Sequence, residues 1–274
     1  MKRRGVFFKR LLKALFVLAV LAIMLAVYMR YIEPSMLDIT YISIESSSVD
    51  GSFKIVAFGD THVGNGKTVE DLFELCSKIN SLSPDCVVFL GDLFDDYSVY
   101  EEDPSQVSKA LAEITAGYKL AVRGNHDVGG GAEWVYPDIV NAGGFILLEN
   151  ENIVLENGIN IVGSAEMLYH SPNVSGFVSE GFDVLLAHEP DVACMADGYE
   201  LQLSGHSHGG QVYIPISFVM DRILPQGSRV YVRGMYEKDD GGMVYVNRGF
   251  GMSLAPIRLF SVPELTVITI NGGE

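Results

Sequence analysis

Basic residues and cysteines are both scarce in this chain of 274 residues. It has 19 lysines and arginines against 35 aspartates and glutamates, which gives a formal net charge of −16. Nucleic-acid binding depends on a basic face, so we expect no nucleic-acid partner, although divalent ions bound in one cleft would make that cleft locally positive. The three cysteines are an odd number without zinc-type spacing, which argues against a disulfide framework. Cys76 and Cys86 lie in apolar stretches and are predicted to be buried thiols.

Histidine is scarce as well, with six in the chain, yet two of them stand one residue apart in LSGHSHGGQ (203–211). Residues i and i+2 of an extended segment point to the same side, so His206 and His208 can converge on one point. Imidazoles that converge commonly share a metal ion. Taken alone, the stretch is more typical of a polar turn beside a strand, and the rest of the sequence has to decide between the two.

The N-terminus carries a long apolar run. From Leu11 to Met29 every residue except Lys13 is apolar or tyrosine, and the run is close to the ~20 residues that span a bilayer. The basic residues that precede or begin it are Lys2, Arg3, Arg4, Lys9, Arg10 and Lys13. By the positive-inside rule they place the N-terminus in the cytoplasm, so we expect a single-pass anchor in the cell membrane with an extracytoplasmic domain. The alternative is export by a cleaved signal, because Arg3-Arg4 resembles a twin-arginine signal.

From Phe53 onwards, short apolar runs alternate with stretches of helical periodicity, which is the pattern of an α/β fold. The predicted strands are 53–58, 86–90, 119–123, 182–190 and 199–208. The predicted helices are 68–82 and 104–117, and the second opens with proline and ends in glycine. No long linker, repeat or low-complexity tract interrupts the pattern. We therefore divide the chain into a membrane anchor (1–30), a connector with a first strand region (31–52) and one main domain (53–274).

Aspartate, asparagine and histidine follow the ends of the predicted strands, in most cases directly after a glycine. The endings are GDTH (59–62), GDLFD (91–95), GNHD (124–127), AHEP (187–190) and GHSH (205–208). In open α/β sheets, ligands bind at the carboxyl ends of strands, and a glycine there lets the backbone turn sharply. Each ending alone is more typical of a turn. All of them together, in one chain, indicate a common site.

The residue types at these endings predict a metal site. Asp, His and Asn suit a divalent ion such as Mn²⁺, Fe²⁺ or Zn²⁺, and neither Ca²⁺ nor a thiolate-bound metal. The candidate ligands are Asp60, His62, Asp92, Asn125, His188, His206 and His208. They are too many for one tetrahedral site and match two metal ions that share a carboxylate. The paired histidines of GHSH are therefore predicted to hold metal.

The ordered set GDTH, GDLFD, GNHD, AHEP and GHSH resembles the calcineurin-like metallophosphoesterase superfamily. The resemblance implies a four-layer α/β/β/α sandwich with a dinuclear metal site. It also implies that one metal is held by Asp60, His62 and His208 and the other by Asn125, His188 and His206, with Asp92 bridging both. His126 falls at the family's catalytic histidine, and Asp95 falls at its orienting partner.

The remaining motifs narrow the resemblance to a branch. GHSHGGQVYIP, VNRGFG (246–251) and PIRLFSVPELTVITI (256–270), behind an N-terminal membrane segment, are similar to a bacterial membrane-associated group. That group includes enzymes that cleave UDP-2,3-diacylglucosamine and other exported phosphoesterases. Asp96 stands where the protein-phosphatase branch has arginine, which argues against a phosphoprotein substrate.

The expected reaction is hydrolysis of a phosphodiester or pyrophosphate bond by a metal-bridging hydroxide, with His126 as general acid. A phosphomonoesterase is the alternative, and a metal-bound scaffold without catalysis is a further one. The scaffold is disfavoured because no member of the ligand set is missing. The sequence leaves the substrate, the native metals and the oligomeric state open.

Residues near the motifs are given supporting roles. Asp127 is predicted to support the site without binding metal, Ser204 and Ser207 to shape the loop, and His170 to lie in a surface loop. After GHSH, the apolar residues Val212 and Ile214 are predicted to be core. For four of the apolar residues that follow, Phe218, Met220, Ile223 and Leu224, the hypothesis is an apolar lip that admits a lipid-linked phosphoester.

Overall fold

The computed structural model describes residues 2–273, and a long helix opens the chain. Helix α1 (Lys2–Val27) exposes its side chains from Val6 onwards and is followed by a π-helical turn (Tyr28–Ile32) and a 3-10 turn (Glu33–Ser35). The segment Val6–Ser35 is long and apolar enough to cross a membrane, with a mean hydropathy of 2.6 in its apolar window. The helix predicted for the anchor therefore has the required length and composition.

Two six-stranded sheets form the centre of the molecule. The strands of the first are β1 (Asp38–Ser46), β2 (Ser52–Phe58), β3 (Cys86–Phe89), β4 (Tyr118–Ala121), β5 (Ile146–Leu147) and β12 (Glu264–Gly272). They lie in the order β1-β12-β2-β3-β4-β5, and β2 to β5 are parallel to one another. Strand β12 is antiparallel to β2 and parallel to β1, so part of the predicted connector belongs to this sheet.

The second sheet is built from later strands. They are β6 (Glu151–Val154), β7 (Ile159–Gly163), β8 (Phe182–Leu186), β9 (Leu201–Ser204), β10 (Gly234–Glu237) and β11 (Met243–Val246). Their order is β10-β11-β9-β8-β7-β6. The four inner strands are parallel, and the two edge strands are antiparallel to their neighbours.

Five short helices complete the fold. They are α2 (Val69–Ser81), α3 (Ser105–Ala112), α4 (Asn125–Gly129), α5 (Tyr136–Ala142) and α6 (Ser217–Ile223). Helix α2 begins at a capping box, in which Thr68 accepts from the Asp71 N–H and the Asp71 carboxylate accepts from the Thr68 N–H. The apolar faces of α2, α3 and α5 bury Leu72, Leu111 and Val140 against the first sheet.

The two sheets pack against each other through their apolar faces. Between the sheets, Val88 and Leu90 of the first pack with Val184 and Leu186 of the second. The outer face of the second sheet is covered by a 3-10 helix (Pro190–Cys194) and by residues of the segment 164–181. The order is therefore helices, sheet, sheet, and a thin layer of 3-10 helix and loop. The predicted α/β fold with two sheets is confirmed.

The observed elements are shorter than the predicted ones where polar residues follow. Strands predicted to reach 190 and 208 end at Leu186 and Ser204. The helix predicted to reach 117 ends at Ala112, and beyond it the Thr115 N–H donates to the Asn80 side chain. Cys76 and Cys86 are buried, as predicted.

Candidate metal centre

The predicted ligands converge at one end of the two sheets. Each stands in the loop after a parallel strand, and the carboxyl ends of parallel strands meet at one edge of a sheet. The strands concerned are β2, β3 and β4 of the first sheet and β8 and β9 of the second. All seven predicted ligand residues are found in this region, and six of them are buried. Asn125, at the start of α4, is partly exposed.

The first group consists of Asp60, His62 and His208, whose ligand atoms lie within 4.8 Å of one another. The Nε2 atoms of His62 and His208 are 3.0 Å apart, and Asp60 Oδ1 is 3.6 Å from His208 Nε2. Two imidazole nitrogens facing each other at this distance, beside a carboxylate, offer three ligand atoms to one ion.

The second group consists of Asp92, His188 and His206. His188 Nε2 lies 3.1 Å from Asp92 Oδ2, 3.2 Å from His206 Nδ1 and 3.2 Å from Asn125 Oδ1. Asp92 Oδ2 is also 3.5 Å from His62 Nε2 of the first group. This carboxylate therefore lies between the two groups.

The backbone at these positions is strained. Asp60, His62, Asp92, His206 and His208 all have a positive φ, between 43° and 68°. A non-glycine residue in the left-handed region costs on the order of 1–3 kcal/mol, and such residues persist where the surrounding structure holds them. A series of five at one site is typical of a functional centre. It also explains why the strands end before these residues.

In the second group, hydrogen bonds to the far side of both imidazoles fix their orientation. The Nδ1–H of His188 donates to the Leu90 carbonyl at 2.7 Å, and the Nε2–H of His206 donates to the Gln226 carbonyl at 2.8 Å. In a neutral ring the other nitrogen then carries a lone pair. The lone pairs of the two rings face each other beside Asp92. When both rings are neutral this arrangement is repulsive unless a cation lies between them, so the residues fit a metal ion that competes with a proton on His188.

The first group is oriented by a carboxylate. The Nδ1–H of His62 donates to Asp95 Oδ1 at 3.1 Å, which leaves Nε2 with a lone pair towards His208. The Ser261 hydroxyl donates to the main-chain carbonyl of His208 at 2.6 Å. The contact with Asp95 fixes the tautomer of the His62 ring, and the contact with Ser261 holds the backbone of His208.

The charges of the centre also suit a cation. Burial lowers the pKa of His206 to about 3 and holds that of His208 well below its usual value, so both rings are neutral ligands. Burial raises the pKa of the Asp92 carboxyl. The nearby His188 and His62 outweigh this effect and lower the pKa to well below its ordinary value. Burial lowers the pKa of His188, but Asp92 raises it well above its usual value, so metal binding there competes with a proton.

His126 lies at the rim of the centre. Its Nδ1–H donates to the main-chain carbonyl of Asp95 at 2.6 Å, whereas the Asp95 carboxylate is 3.8 Å away. Its ring packs edge-on to that of His62, with centroids 4.6 Å apart. Burial lowers the pKa of His126, but Asp92 and the Asp95 carbonyl raise it above its usual value overall. Asp95 therefore reaches His126 through its main chain and His62 through its side chain.

Asp127 supports the centre from below. Its buried carboxylate accepts hydrogen bonds from the backbone N–H groups of Asp92, Leu93 and Gly124, at 2.8 to 2.9 Å. It thereby joins the loops after β3 and β4. This matches the supporting role predicted for it. His170 lies exposed on the surface, also as predicted.

Two cavities meet at the centre. A polar one of about 460 Å³ is lined by residues that include Asp95, Asn125, His126 and Tyr169. A mostly apolar one of about 440 Å³ begins at His206 and His208 and is bounded by Val212, Ile214, Val219, Ile223, Pro225 and Ile257. Leu254 lines both cavities and lies between them.

The predicted apolar lip is wrong for two of its four residues. Met220 and Leu224 are buried, and they line a separate cavity beside Tyr213 and not the one that begins at His206 and His208. Ile223 is half-exposed and lines the apolar cavity. The side chain of Phe218 lies outside the described residues. The cavity is formed by Ile223 together with the segment 253–257 and with Val212 and Ile214. Val212 and Ile214 were predicted to be core, but they are half-buried and line this cavity.

Comparison with known proteins identifies the family. The family model described as calcineurin-like phosphoesterase matches residues 53–210, which is more than half of the chain and includes all the predicted ligands. The chain belongs to the calcineurin-like phosphoesterase family. It is therefore a metal-dependent hydrolase of phosphoric esters, and the resemblance inferred from its motifs is confirmed.

Relatives in this family extend the comparison to the whole chain. The uncharacterized metallophosphoesterase YkuE of Bacillus subtilis is 39% identical over 259 residues, which cover 89% of both chains. An uncharacterized metallophosphoesterase of Aquifex aeolicus is 27% identical over 92% of this chain and 98% of its own length. A zebrafish relative named as a transmembrane protein with a metallophosphoesterase domain is 28% identical over 96% of this chain and 63% of its own length. Together with helix α1, the relative named as a transmembrane protein indicates a membrane protein.

Proposed function

We propose that this protein hydrolyses a phosphodiester or pyrophosphate bond of a lipid-linked substrate on the extracytoplasmic side of the cell membrane. Residues 1–30 serve as the anchor, 31–52 as the connector with the first strand region, and 53–274 as the hydrolase domain. The observation that carries the proposal is the arrangement of two ligand groups around Asp92, with His126 at the rim and an apolar cavity beside His206 and His208.

Two divalent ions of the Mn²⁺, Fe²⁺ or Zn²⁺ type occupy the centre in this proposal. Asp60, His62 and His208 hold one, and the other is held by Asn125, His188 and His206, with Asp92 shared. When bound, the ions would supply Lewis acidity and lower the pKa of a water molecule towards ~7, which would provide a nucleophile near neutrality.

His126 acts as the general acid. Its Nδ1–H is engaged by the Asp95 carbonyl, so the proton for the leaving oxygen is carried on Nε2. The hydrogen bond from Nδ1–H to the Asp95 carbonyl favours the protonated ring, which is the form that a general acid needs. Because His126 lines the polar cavity, the leaving group is the polar part of the substrate. Asp95 has two roles, holding His126 through its carbonyl and His62 through its carboxylate.

The apolar cavity is the reason to propose a lipid-linked substrate. Val212, Ile214 and Ile257 line a space that starts at the ligands His206 and His208. Burying an aliphatic chain against such side chains contributes ~25 cal/mol per Å² of apolar area. A small polar ester makes no use of this surface.

Substitution of the shared carboxylate tests the metal assignment. Asp92→Asn should lower metal occupancy at both positions and reduce turnover by more than about 10³-fold, because one ligand serves both ions. Asp60→Asn should mainly empty one position. Metal content per chain and hydrolysis of bis-p-nitrophenyl phosphate are the measurements. Two metals per chain and a near-normal rate in purified Asp92→Asn would refute the dinuclear assignment.

Substitution of a cavity residue tests the lipid-linked substrate. Ile223→Ser should lower kcat/KM for a lipid-linked phosphodiester in micelles by about 10- to 100-fold, because ~1.5–3 kcal/mol of apolar contact is lost. Hydrolysis of a small soluble diester should be unchanged. Val154→Ser, an exposed position on β6, is the matched control. If both substrates are affected equally in Ile223→Ser, or if a phosphomonoester is the preferred substrate, the proposal fails.

A further inference from the structure

Two large apolar side chains are held in solvent close to the metal centre. Leu254 is 95% exposed and Phe260 is 65% exposed. Both have a positive φ, 60° and 57°, which is rare for bulky residues and costs free energy. We call residues 252–260 the interfacial loop. A strained backbone that exposes leucine and phenylalanine to water gains nothing in an isolated domain, so the loop requires an apolar partner.

The interfacial loop is attached to the end of the membrane helix. The Arg258 N–H donates to the Met29 carbonyl at 2.9 Å, two residues beyond the end of α1. The Ser261 N–H donates to the buried Glu33 carboxylate at 2.6 Å. Lys67 Nζ donates to the Pro34 carbonyl at 2.8 Å. The connector is therefore fixed to the domain and is not a free tether.

This attachment sets the distance between the loop and the bilayer. The apolar side chains of α1 end at Val27 and the following turn, so in the proposed topology the membrane surface would lie at about the level of Met29. The interfacial loop lies at the same level because its backbone is bonded there. A lipid surface is thus continuous with the face that carries Leu254 and Phe260.

The charges beside the loop complement a bilayer. In a chain with a net charge of −16, the segment 216–233 has three arginines, Arg222, Arg229 and Arg233, against one acid, Asp221. Arg233 donates to the Phe260 carbonyl at 2.9 Å and lies over the Tyr213 ring at 3.5 Å. Basic residues beside exposed apolar ones are typical of surfaces that bind anionic lipid.

From these observations we propose that the interfacial loop inserts into the outer leaflet beside the anchor, with Leu254 and Phe260 among the acyl chains and Arg229 and Arg233 at anionic headgroups. Since Leu254 and Ile257 also line the apolar cavity, its mouth then opens into the leaflet. This rests on the proposed topology and goes beyond the proposed reaction, because it assigns a membrane-binding surface to the domain.

Site-directed spin labels on the full-length protein in vesicles test the docking. Cys194 is the exposed native cysteine and is replaced by serine, while Cys76 and Cys86 are buried. Single cysteines are placed at Leu254 and Phe260. The control is Val154, which is 62% exposed and pairs with Asn160 at the amino end of β7, away from the centre. The vesicles contain phosphatidylcholine and phosphatidylglycerol.

Labels at 254 and 260 should be reached by oxygen and shielded from a water-soluble nickel chelate, with an oxygen-to-nickel accessibility ratio several-fold above that at 154. Equal nickel accessibility at all three positions would overturn the proposal. So would shielding of 254 and 260 from both reagents, since another protein or a second copy would then cover the loop.

The docking and the reaction can fail separately. Phe260→Ser should raise nickel accessibility at 254 and leave hydrolysis of a soluble diester unchanged. Docked labels without hydrolysis of any lipid-linked ester would refute the proposed substrate alone. Hydrolysis of the soluble diester by a protein whose loop stays in water would refute the docking alone.

Discussion

At the scale of single residues, the centre depends on side chains held by main-chain atoms. Carbonyls of Leu90, Asp95 and Gln226 orient three histidines and decide which nitrogen of each faces the centre. Left-handed backbone at the ligands turns neighbouring side chains towards one point. The chemistry therefore needs the loop conformations as much as the residue types.

His126 has a test at this scale. His126→Ala should keep its metals but lose about 10²–10⁴-fold in rate for an alkyl leaving group, and much less for p-nitrophenolate, which needs little protonation. Because the acid form is required, the wild-type rate with the poor leaving group should fall as pH rises through the His126 pKa, above 6.5. Rates measured against pH with both substrates check this. An equal loss for good and poor leaving groups would leave His126 only a positioning role.

At the scale of elements, the connector is the unexpected part of the fold. The turn Glu33–Ser35 is packed against the domain, with Glu33 and Pro34 buried. Lys67, in the loop between β2 and α2, is buried beneath it and lies over the Phe250 ring at 3.9 Å. The anchor and the hydrolase domain are thus joined by a packed interface.

Lys67 makes this interface sensitive to pH. Burial lowers its pKa from 10.5 to about 8. Between these values the unfolded chain binds more protons than the folded one, so stability contributed by this group rises with pH across that window. The stability gained by Lys67→Met over wild type should therefore shrink from pH 8 to pH 10.5. Denaturant unfolding at several pH values measures it.

The control for that prediction is Lys78→Met on the exposed side of α2, which should keep the pH trend of the wild type. A Lys67→Met difference that stays constant with pH would contradict the burial argument.

At the scale of the whole molecule, the two ends of the membrane helix differ in charge. Basic residues collect before the apolar run, at Lys2 to Lys13, while the chain as a whole carries a net charge of −16. The membrane helix therefore orients the domain outside the cytoplasm in our proposal. If the domain lies outside the cytoplasm, the apolar cavity can open into the outer leaflet, as proposed above.

A fusion experiment tests the orientation. A reporter that is active only outside the cytoplasm should be active when fused after Glu274 and silent when fused before Met1. External protease should remove the C-terminal reporter from intact cells. A silent and protease-protected C-terminal fusion would reverse the topology, and its release as a free soluble product would indicate a cleaved signal.

The sequence by itself determined the α/β fold, the candidate ligands, the family and the membrane helix, because strand periodicity and the residue types at strand ends are local patterns. Tertiary structure decided the rest. The contacts of Met29 with Arg258 and of Glu33 with Ser261 join segments more than 200 positions apart and leave no local signal. Met220 and Leu224 have the same apolar character as exposed Ile223, and only the packing of α6 separates them. The exposure of Leu254 and Phe260 likewise depends on backbone angles that composition does not encode.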